Sequence, residues 1–415
     1  MAVMDEAAEH GSPPTVALDW LPYHGALVEF LRDDDPHVWQ WFDRSSTDPR
    51  GADEVRFDLL KSTYRFDRES QPHLYDTAGK VAKQLGLDVP VTIYQAQSAG
   101  GLNAALAYVP GELHVILQGP IAERLSDVEL RALLAHELAH YLLYQCNGGQ
   151  MWIASEMLRA MCNDARAHPA HHASMRLLTL YTELYCDRAA LRVTGNLAAV
   201  VSTLVKVATG VQEIDPHSYL KQADEIFAKA NASTDGITHP ETFIRARAAR
   251  LWSENDPDAD ALICRMIEGT PSIGELDVLA QRHVSAATRR LIDRLMRYKW
   301  FQSDLTLAHA RLFFEDYAPP VAEQSDSKLA EGVTVEPKPM RDYYAFVLLD
   351  FVAADRELDE AGLAAALEVA EECGVKARFM ELARQELRLR KNQIEKVDQQ
   401  KSTILEKVQK SVGTP

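Results

Sequence analysis

The chain has 415 residues, of which 47% are hydrophobic and 25% charged, enough apolar material for the cores of two or three domains. Its formal net charge of −17 counts against nucleic acid or an anionic membrane as the main partner, because both would repel it. No window approaches the roughly 18 consecutive apolar residues of a membrane span.

Met1 to Pro14 carries Asp5, Glu6 and Glu9 without a basic start, so no secretory signal is expected. Residues 15 to 68 hold Trp20, Leu21, Val28, Phe30, Leu31, Val38, Trp39 and Trp41, with Pro36 and Pro49 as breakers. Short helices are expected there, Tyr23 to Arg32 the clearest. An amphipathic helix from His73 to Leu85 leads into a strand from Val89 to Gln95. Leu102 to Val109 and Glu112 to Gln118 flank Pro110-Gly111, a pair suited to the turn of an antiparallel hairpin.

The next helix carries the most chemistry. Ser126 and Glu129 read as a capping box, and Val128, Leu130, Leu133, Leu134, Leu138 and Leu142 supply an apolar face. Within it stands His136-Glu137-Leu138-Ala139-His140. Histidines four apart share one helix face, so both imidazoles can reach a single zinc ion while Glu137 projects beside them as a base. Gly148-Gly149 then breaks into a helix from Met151 to Arg166. His168, His171 and His172, interrupted by proline and alanine, read as a loop near the cleft rather than as ligands.

A zinc enzyme needs a third protein ligand, and the segment Leu177 to Val193 offers Glu183. Asp187, one turn on, could accept the free ring N–H of a metal-bound histidine. Taken alone, both acids read better as exposed partners of Arg188 or Arg192; downstream of an H-E-x-x-H helix that reading no longer prevails. Leu197 to Val211 is the most hydrophobic stretch, broken by Thr203, Lys206 and Thr209, and reads as a buried helix. A polar stretch with Asn231, Ser233, Asp235 and Gly236 leads into Thr238-His239-Pro240 and Arg245.

In this order, the H-E-x-x-H helix, Glu183-x-x-x-Asp187 and Thr238-His239-Pro240 with Arg245 five residues on resemble the HtpX/CAAX-prenyl-protease family of gluzincin metallopeptidases. The resemblance extends upstream to Asp88 through Tyr94 and to Asn103-Ala104, and covers roughly residues 70 to 255. It implies a soluble member, since that family is membrane-bound and no span is evident here. It also implies His239 as an oxyanion donor or a plug on the metal, Arg245 as the anchor of its loop, and the strand at Asn103 and Ala104 as a dock for substrate backbone.

Past Trp252 the chain reads as wholly helical, with helices at Ile273 to Ala280, Ala286 to Phe301 and Leu305 to Tyr317. Pro319-Pro320 opens a polar stretch to Pro339, the best domain boundary in the sequence. Tyr343 to Cys373 reads as two helices around the acidic turn Asp355 to Asp359. With Gly374 and further helix, this resembles a TerB-type (tellurite-resistance) module, except that Gly362 stands where that family usually has glutamate. The acidic turn therefore reads as an N-cap rather than a metal site. From Leu387, Ile394, Val397, Ile404 and Val408 suit a helix docked on its own domain.

The expected fold is mainly α with a small antiparallel sheet, an α+β metallopeptidase core plus a C-terminal all-α module. Its parts are a helical extension (1–69), the core (70–255), a second helical extension (256–318), a linker (319–340) and the TerB-like domain (341–415). The expected function is a zinc-dependent endopeptidase with one Zn²⁺ per chain, ligated by His136, His140 and Glu183. Glu137 is the base, His239 assists, and Asp187 and Arg245 stand behind the ligands. The alternatives are a zinc-stabilised scaffold and a hydrolase of small substrates. Expected partners are a protein or peptide substrate and a protein partner on the C-terminal module, with no nucleic acid and no membrane span. Five scattered cysteines (Cys146, Cys162, Cys186, Cys264 and Cys373) suit reduced thiols in the cytoplasm.

Overall fold

The computed structural model describes residues 15–45, 49–97, 101–229, 232–320 and 338–412. The N-terminal fourteen residues, Asn231 and most of the expected linker lie outside the described residues. The chain divides into two compact units, 1–269 and 270–415.

In the first unit, proline opens α1 (Pro22–Asp34), α2 (Pro36–Ser45) and α3 (Pro49–Ser62), a position where its missing N–H costs nothing. α1 buries Leu27, Val28 and Leu31, and its Tyr23 stacks on Tyr181 with centroids 4.9 Å apart. Four strands follow: β1 (Thr63–Arg65), β2 (Val91–Ala96), β3 (Asn103–Val109) and β4 (Glu112–Gln118), with α4 (Pro72–Gln84) between the first two. β3 and β4 form the expected hairpin, turning at Gly111 with φ +83°.

The sheet is mixed, not wholly antiparallel as expected. Its order is β1-β2-β4-β3, and β4 runs parallel to β2. Burial explains the arrangement. Leu113, Val115 and Leu117 of β4 are fully buried, so the more apolar arm of the hairpin takes the interior place. β3, with exposed Asn103 and a run of alanines, is left on the edge.

After the short α5 (Ile121–Arg124), α6 (Asp127–Asn163) begins at the capping box, where the Glu129 carboxylate accepts the Ser126 N–H at 2.8 Å. It is two helices joined at a kink. Asn147, Gly148 and Gly149 take φ of 54°, 70° and 79°, the break expected at the glycine pair. The turn folds Trp152 back onto Tyr108, with ring centroids 4.3 Å apart. α7 (Pro169–Thr194) starts earlier than expected. His168 belongs to no loop: its Nδ1 accepts the Ala170 N–H at 3.2 Å and caps the helix, while His171 and His172 lie in the first turn. Pro169 begins this helix rather than breaking it, because it stands at the first helical position. α8 (Leu197–Thr209), α9 (Pro216–Lys229), α10 (Thr242–Ser253) and α11 (Ala259–Glu268) complete the unit.

The second unit is helical. It comprises α12 (Val278–Met296), α13 (Asp304–Phe313), α14 (Lys338–Ala354), α15 (Asp359–Glu372), α16 (Lys376–Glu386) and α17 (Lys391–Val412). The two helices expected between Ile273 and Phe301 are mostly one, α12, flanked by 3₁₀ turns. One core joins Leu291, Phe301, Tyr344, Phe351, Leu367, Phe379 and Ile394. Arg294 clamps Glu372 through two bonds of 2.7 Å. The helices before and after residues 319–340 thus share one interior, and the chain divides at 269/270 rather than in the proline-rich stretch. The acidic turn is capped by Asp355, which accepts the Glu357 N–H at 2.9 Å. Gly362 has a packing reason, since a Cβ there would meet the Leu358 side chain at 3.0 Å. Among the described residues no helix is long and apolar enough to cross a membrane.

The start of α6 depends on a buried ion pair. Glu129 binds Lys206 Nζ at 2.8 Å, both Ser126 groups at 2.8 Å and the Ser202 hydroxyl. Burial works against its charge, but these partners outweigh it and hold its carboxyl below the ordinary range. Glu129→Ala would strand a buried ammonium, and should cost about 3–5 kcal/mol in chemical denaturation at neutral pH. A carboxyl held low contributes above its unfolded pKa and loses that contribution as pH falls through the folded one. The gap between variant and wild type should therefore close in acid, and a gap independent of pH would exclude the ion pair as its source.

Candidate active site

Three helices and one loop build the site. α6 supplies His136, Glu137 and His140; α7 supplies Glu183 and Asp187; α10 supplies Arg245; and the loop before α10 carries His239. These residues line a cavity of about 500 Å³, with Asn103 and Ala104 of the edge strand β3 on its wall. All nine residues singled out in the sequence meet there.

The innermost group is Asp187, which is 1% exposed. Arg245 grips it through Nε to Oδ2 and Nη2 to Oδ1, both at 2.7 Å. His136 Nδ1 donates to the same Oδ1 at 3.0 Å. Burial opposes the charge, but Arg245 and then His136 outweigh it and lower the carboxyl. Asp187 therefore does what spacing suggested, fixing one ring nitrogen of His136 and leaving the other free. The rival expectation, surface pairing with Arg188 or Arg192, does not describe either acid.

Glu183 stands where that free nitrogen points. Its Oε2 is 3.4 Å from His136 Nε2, and its Oε1 is 3.7 Å from His140 Nε2 and 3.6 Å from His239 Nε2. Oε2 is buried and has no hydrogen-bond partner, though Arg245 Nη2 lies 3.4 Å away. Burial again opposes its charge, but the adjacent His136 ring and the field of Arg245 hold the carboxyl well below its ordinary range. The imidazoles diverge. Burial pushes His140 down to about 4, whereas the hydrogen bond to Asp187 and the adjacent Glu183 carboxylate overcome burial and raise His136. Glu137, buried beside them, is pushed up to about 7 by desolvation.

A different third donor also stands near the pair. Donor atoms of His136, His140 and Cys186 lie within 4.8 Å of one another. The Cys186 thiol is fully buried and its pKa is raised well above the ordinary value, first by desolvation.

His239 has a side chain 60% exposed, and the arginine bonded to its loop is Arg176 instead of Arg245, the anchor that the resemblance implied, whose bonds go to Asp187. Arg176 of α7 donates through Nε to the Gly236 carbonyl at 2.8 Å and through Nη2 to the Thr234 carbonyl at 2.7 Å. Gly236 admits no side chain, since a Cβ would stand 2.0 Å from the His239 carbonyl oxygen. Arg176 was legible in principle. It precedes Glu183 by seven residues, two helical turns, and so lies on the same face. Tyr144, one turn past His140, also lines the cavity and was not singled out.

Residues 69–253 match peptidase family M48. The chain is similar to the plastoglobule-localized metallopeptidase 48, chloroplastic, of Arabidopsis thaliana, at 28% identity over 197 residues, covering 42% of this chain and 55% of that protein. The match therefore spans little more than half of that relative's length. No solved structure matches. The stretch that builds this cavity is thus the part of the chain that matches the peptidase M48 family.

Proposed function

We propose that this domain is a zinc-dependent endopeptidase, with His136, His140 and Glu183 as the metal ligands. One observation carries the reading. A buried carboxylate oxygen of Glu183 has no hydrogen-bond partner, and its two oxygens face Nε2 of both histidines. Two imidazoles and a carboxylate, with one position open, form a donor set that suits catalytic zinc. Glu183 is the better third donor because its two oxygens face the outer ring nitrogens of both histidines, at 3.4 Å from His136 Nε2 and 3.7 Å from His140 Nε2. When bound, a zinc ion supplies Lewis acidity, polarising a carbonyl oxygen and lowering the pKa of water.

The chain's own residues perform the rest. Asp187 keeps the Nδ1 proton of His136, which leaves the Nε2 lone pair for the metal. Glu137 takes a proton from the attacking water and passes it to the leaving amine. The edge strand β3 docks the substrate backbone by strand addition. His239 Nε2 either donates to the developing oxyanion or covers the metal at rest. A purely structural metal site has no use for Glu137, which counts against the scaffold reading, and the edge strand favours peptides over small substrates. The order of the three motifs supports a closer kinship with the HtpX/CAAX-prenyl proteases. Free cysteines support a reducing, cytoplasmic setting. The capped acidic turn between α14 and α15 supports a TerB-like module, for which we propose recruitment of a protein partner.

The purified chain should hold one zinc per molecule, and alanine at His136, His140 or Glu183 should abolish it. Asp187→Ala should weaken binding by about 10–100-fold. Full zinc in all three ligand variants by metal analysis would overturn the assignment, and a zinc loss in Cys186→Ala alone would move it to the thiol.

Glu137→Gln keeps the shape of the site and removes the base. Zinc content and melting temperature should stay at wild-type values while peptide cleavage disappears; cleavage at the wild-type rate would exclude Glu137 as the base.

Arg176→Ala should release the His239 loop and lower kcat on the order of 10–100-fold with zinc retained, and Arg176→Lys should recover part of it. His239→Ala decides between the two roles: a loss on the order of 100-fold fits oxyanion donation, and a gain fits a plug.

A further inference from the structure

α8 is apolar on two adjacent faces; one is buried in a core cluster and the other, only partly covered, lines the site cavity. Val201 and Val205 are buried in a cluster with Leu220 and Ala246. Val200, Leu204 and Val207 recur at i, i+4 and i+7 and so fall on a neighbouring face. That face lines the site cavity, together with Leu133 of α6. Leu204 and Val207 are only half-buried, so part of this apolar surface meets whatever fills the cavity. Helices that face solvent in a folded domain normally present polar residues there, and α8 does not.

The polar groups of α8 are satisfied within the fold, that of Thr203 included, although Thr203 also lines the cavity. Lys206 reaches Glu129 at 2.8 Å, and the Thr203 hydroxyl donates to the Ala199 carbonyl within the helix at 2.8 Å. The charged residues lining the cavity all belong to the cluster around Glu183 and Asp187. The cavity therefore has an ionic wall that can perform hydrolysis and an apolar wall that takes no part in it. Its volume of about 500 Å³ leaves room for a large side chain, since small-molecule sites run from roughly 300 to 1,000 Å³. Along the edge strand, Ala104 and Ala105 keep the path between backbone dock and apolar wall clear.

We propose that the α8 wall is the specificity subsite, and that it selects a bulky apolar side chain, such as Leu, Phe, Met or Ile, next to the scissile bond of an extended peptide. The proposal rests on the peptidase reading and adds the substrate class to it. A small side chain would leave Leu204 and Val207 wet, forgoing the gain from removing apolar surface from water. An acidic or a basic side chain would lose its hydration against α8 with no counter-charge on that wall. Specificity of this kind is modest by nature, because a hydrophobic pocket discriminates by surface area rather than by unmet hydrogen bonds.

The test uses the full chain and a series of unstructured peptides that differ at one position, carrying Leu, Phe, Ala, Asp or Lys. Cleavage by wild type is measured alongside equilibrium binding to Glu137→Gln by fluorescence anisotropy. Leu and Phe peptides should exceed the Ala peptide by about 10–200-fold in kcat/KM and should also bind more tightly to Glu137→Gln. Val207→Phe fills the pocket and should shift the preference toward Ala; Leu204→Asp should remove the advantage of Leu and Phe. Ala208→Leu, at an exposed position on the cavity lining, narrows the pocket without touching the core and serves if Val207→Phe fails to fold. Equal handling of Leu and Ala, a preference for Asp or Lys, or an unchanged ranking in the filled variants would overturn the subsite. Failure of the peptidase reading has a different signature. No peptide would then be cut by wild type faster than by Glu137→Gln, and the anisotropy ranking alone would decide whether the wall selects apolar side chains.

Discussion

Asp187 holds the site together. Its two oxygens accept three hydrogen bonds, two from the Arg245 fork and one from the His136 ring. A carboxylate and a guanidinium removed from water are expensive, and removing one partner of such a pair costs about 3–5 kcal/mol because the other is left bare. Here every charge is met with good geometry, so the cluster can persist deep in the fold. It ties α6, α7 and α10 at one point. The angle of the His136 ring, the position of Glu183 one turn away and the start of the His239 loop are all referred to that point.

The same charges would be far less useful in an open groove. In a buried site fields fall off slowly, so Arg245 and His136 can hold Glu183 ionised even though burial opposes it. Glu137 lies only one residue from His136 yet is driven the opposite way, because desolvation dominates where no cation is bonded to it. Two carboxyl groups of one cavity are thus driven in opposite directions by their immediate partners, which suits the different roles proposed for them. The apolar face of α8 contributes to this by keeping charged groups off one side of the cavity.

Loop support is the less visible part of the design. α7 carries Glu183 and Asp187 toward the cavity, and two turns earlier it carries Arg176 to the backbone of the 234–239 loop. One rigid helix therefore sets both the ionic floor and the rim that presents His239. Rigid elements hold such constellations better than loops do. Here the loop's freedom is reduced by an arginine fork below it and by the close approach of its own backbone at Gly236. The second unit is organised on its own terms, with α12 joined to α15 by the Arg294–Glu372 clamp and α14 and α17 packed into the same core.

Local chemistry was legible in the sequence. The H-E-x-x-H spacing needs only helical periodicity, and the capping box at Ser126, the break at Gly148-Gly149, the Pro110-Gly111 turn and the docked last helix follow from short-range sterics and apolar spacing. The relation of Glu183 and Asp187 to each other was also a matter of one helical turn. What the sequence could not show was which strand lies beside which, or which helix end meets which loop. The parallel β2–β4 pairing, the shared core on both sides of residues 319–340, the anchoring of the loop by Arg176 and the second apolar face of α8 all join residues distant in the chain. His168 misled because a histidine before a proline is equally compatible with a loop and with a helix cap, and only the surrounding packing chooses. Sequence by itself determined the reactive groups and their helical spacing, since these depend on bond geometry within a few residues. The tertiary structure decided their protonation, their supports and the wall opposite them, because those depend on burial, and burial belongs to the whole fold.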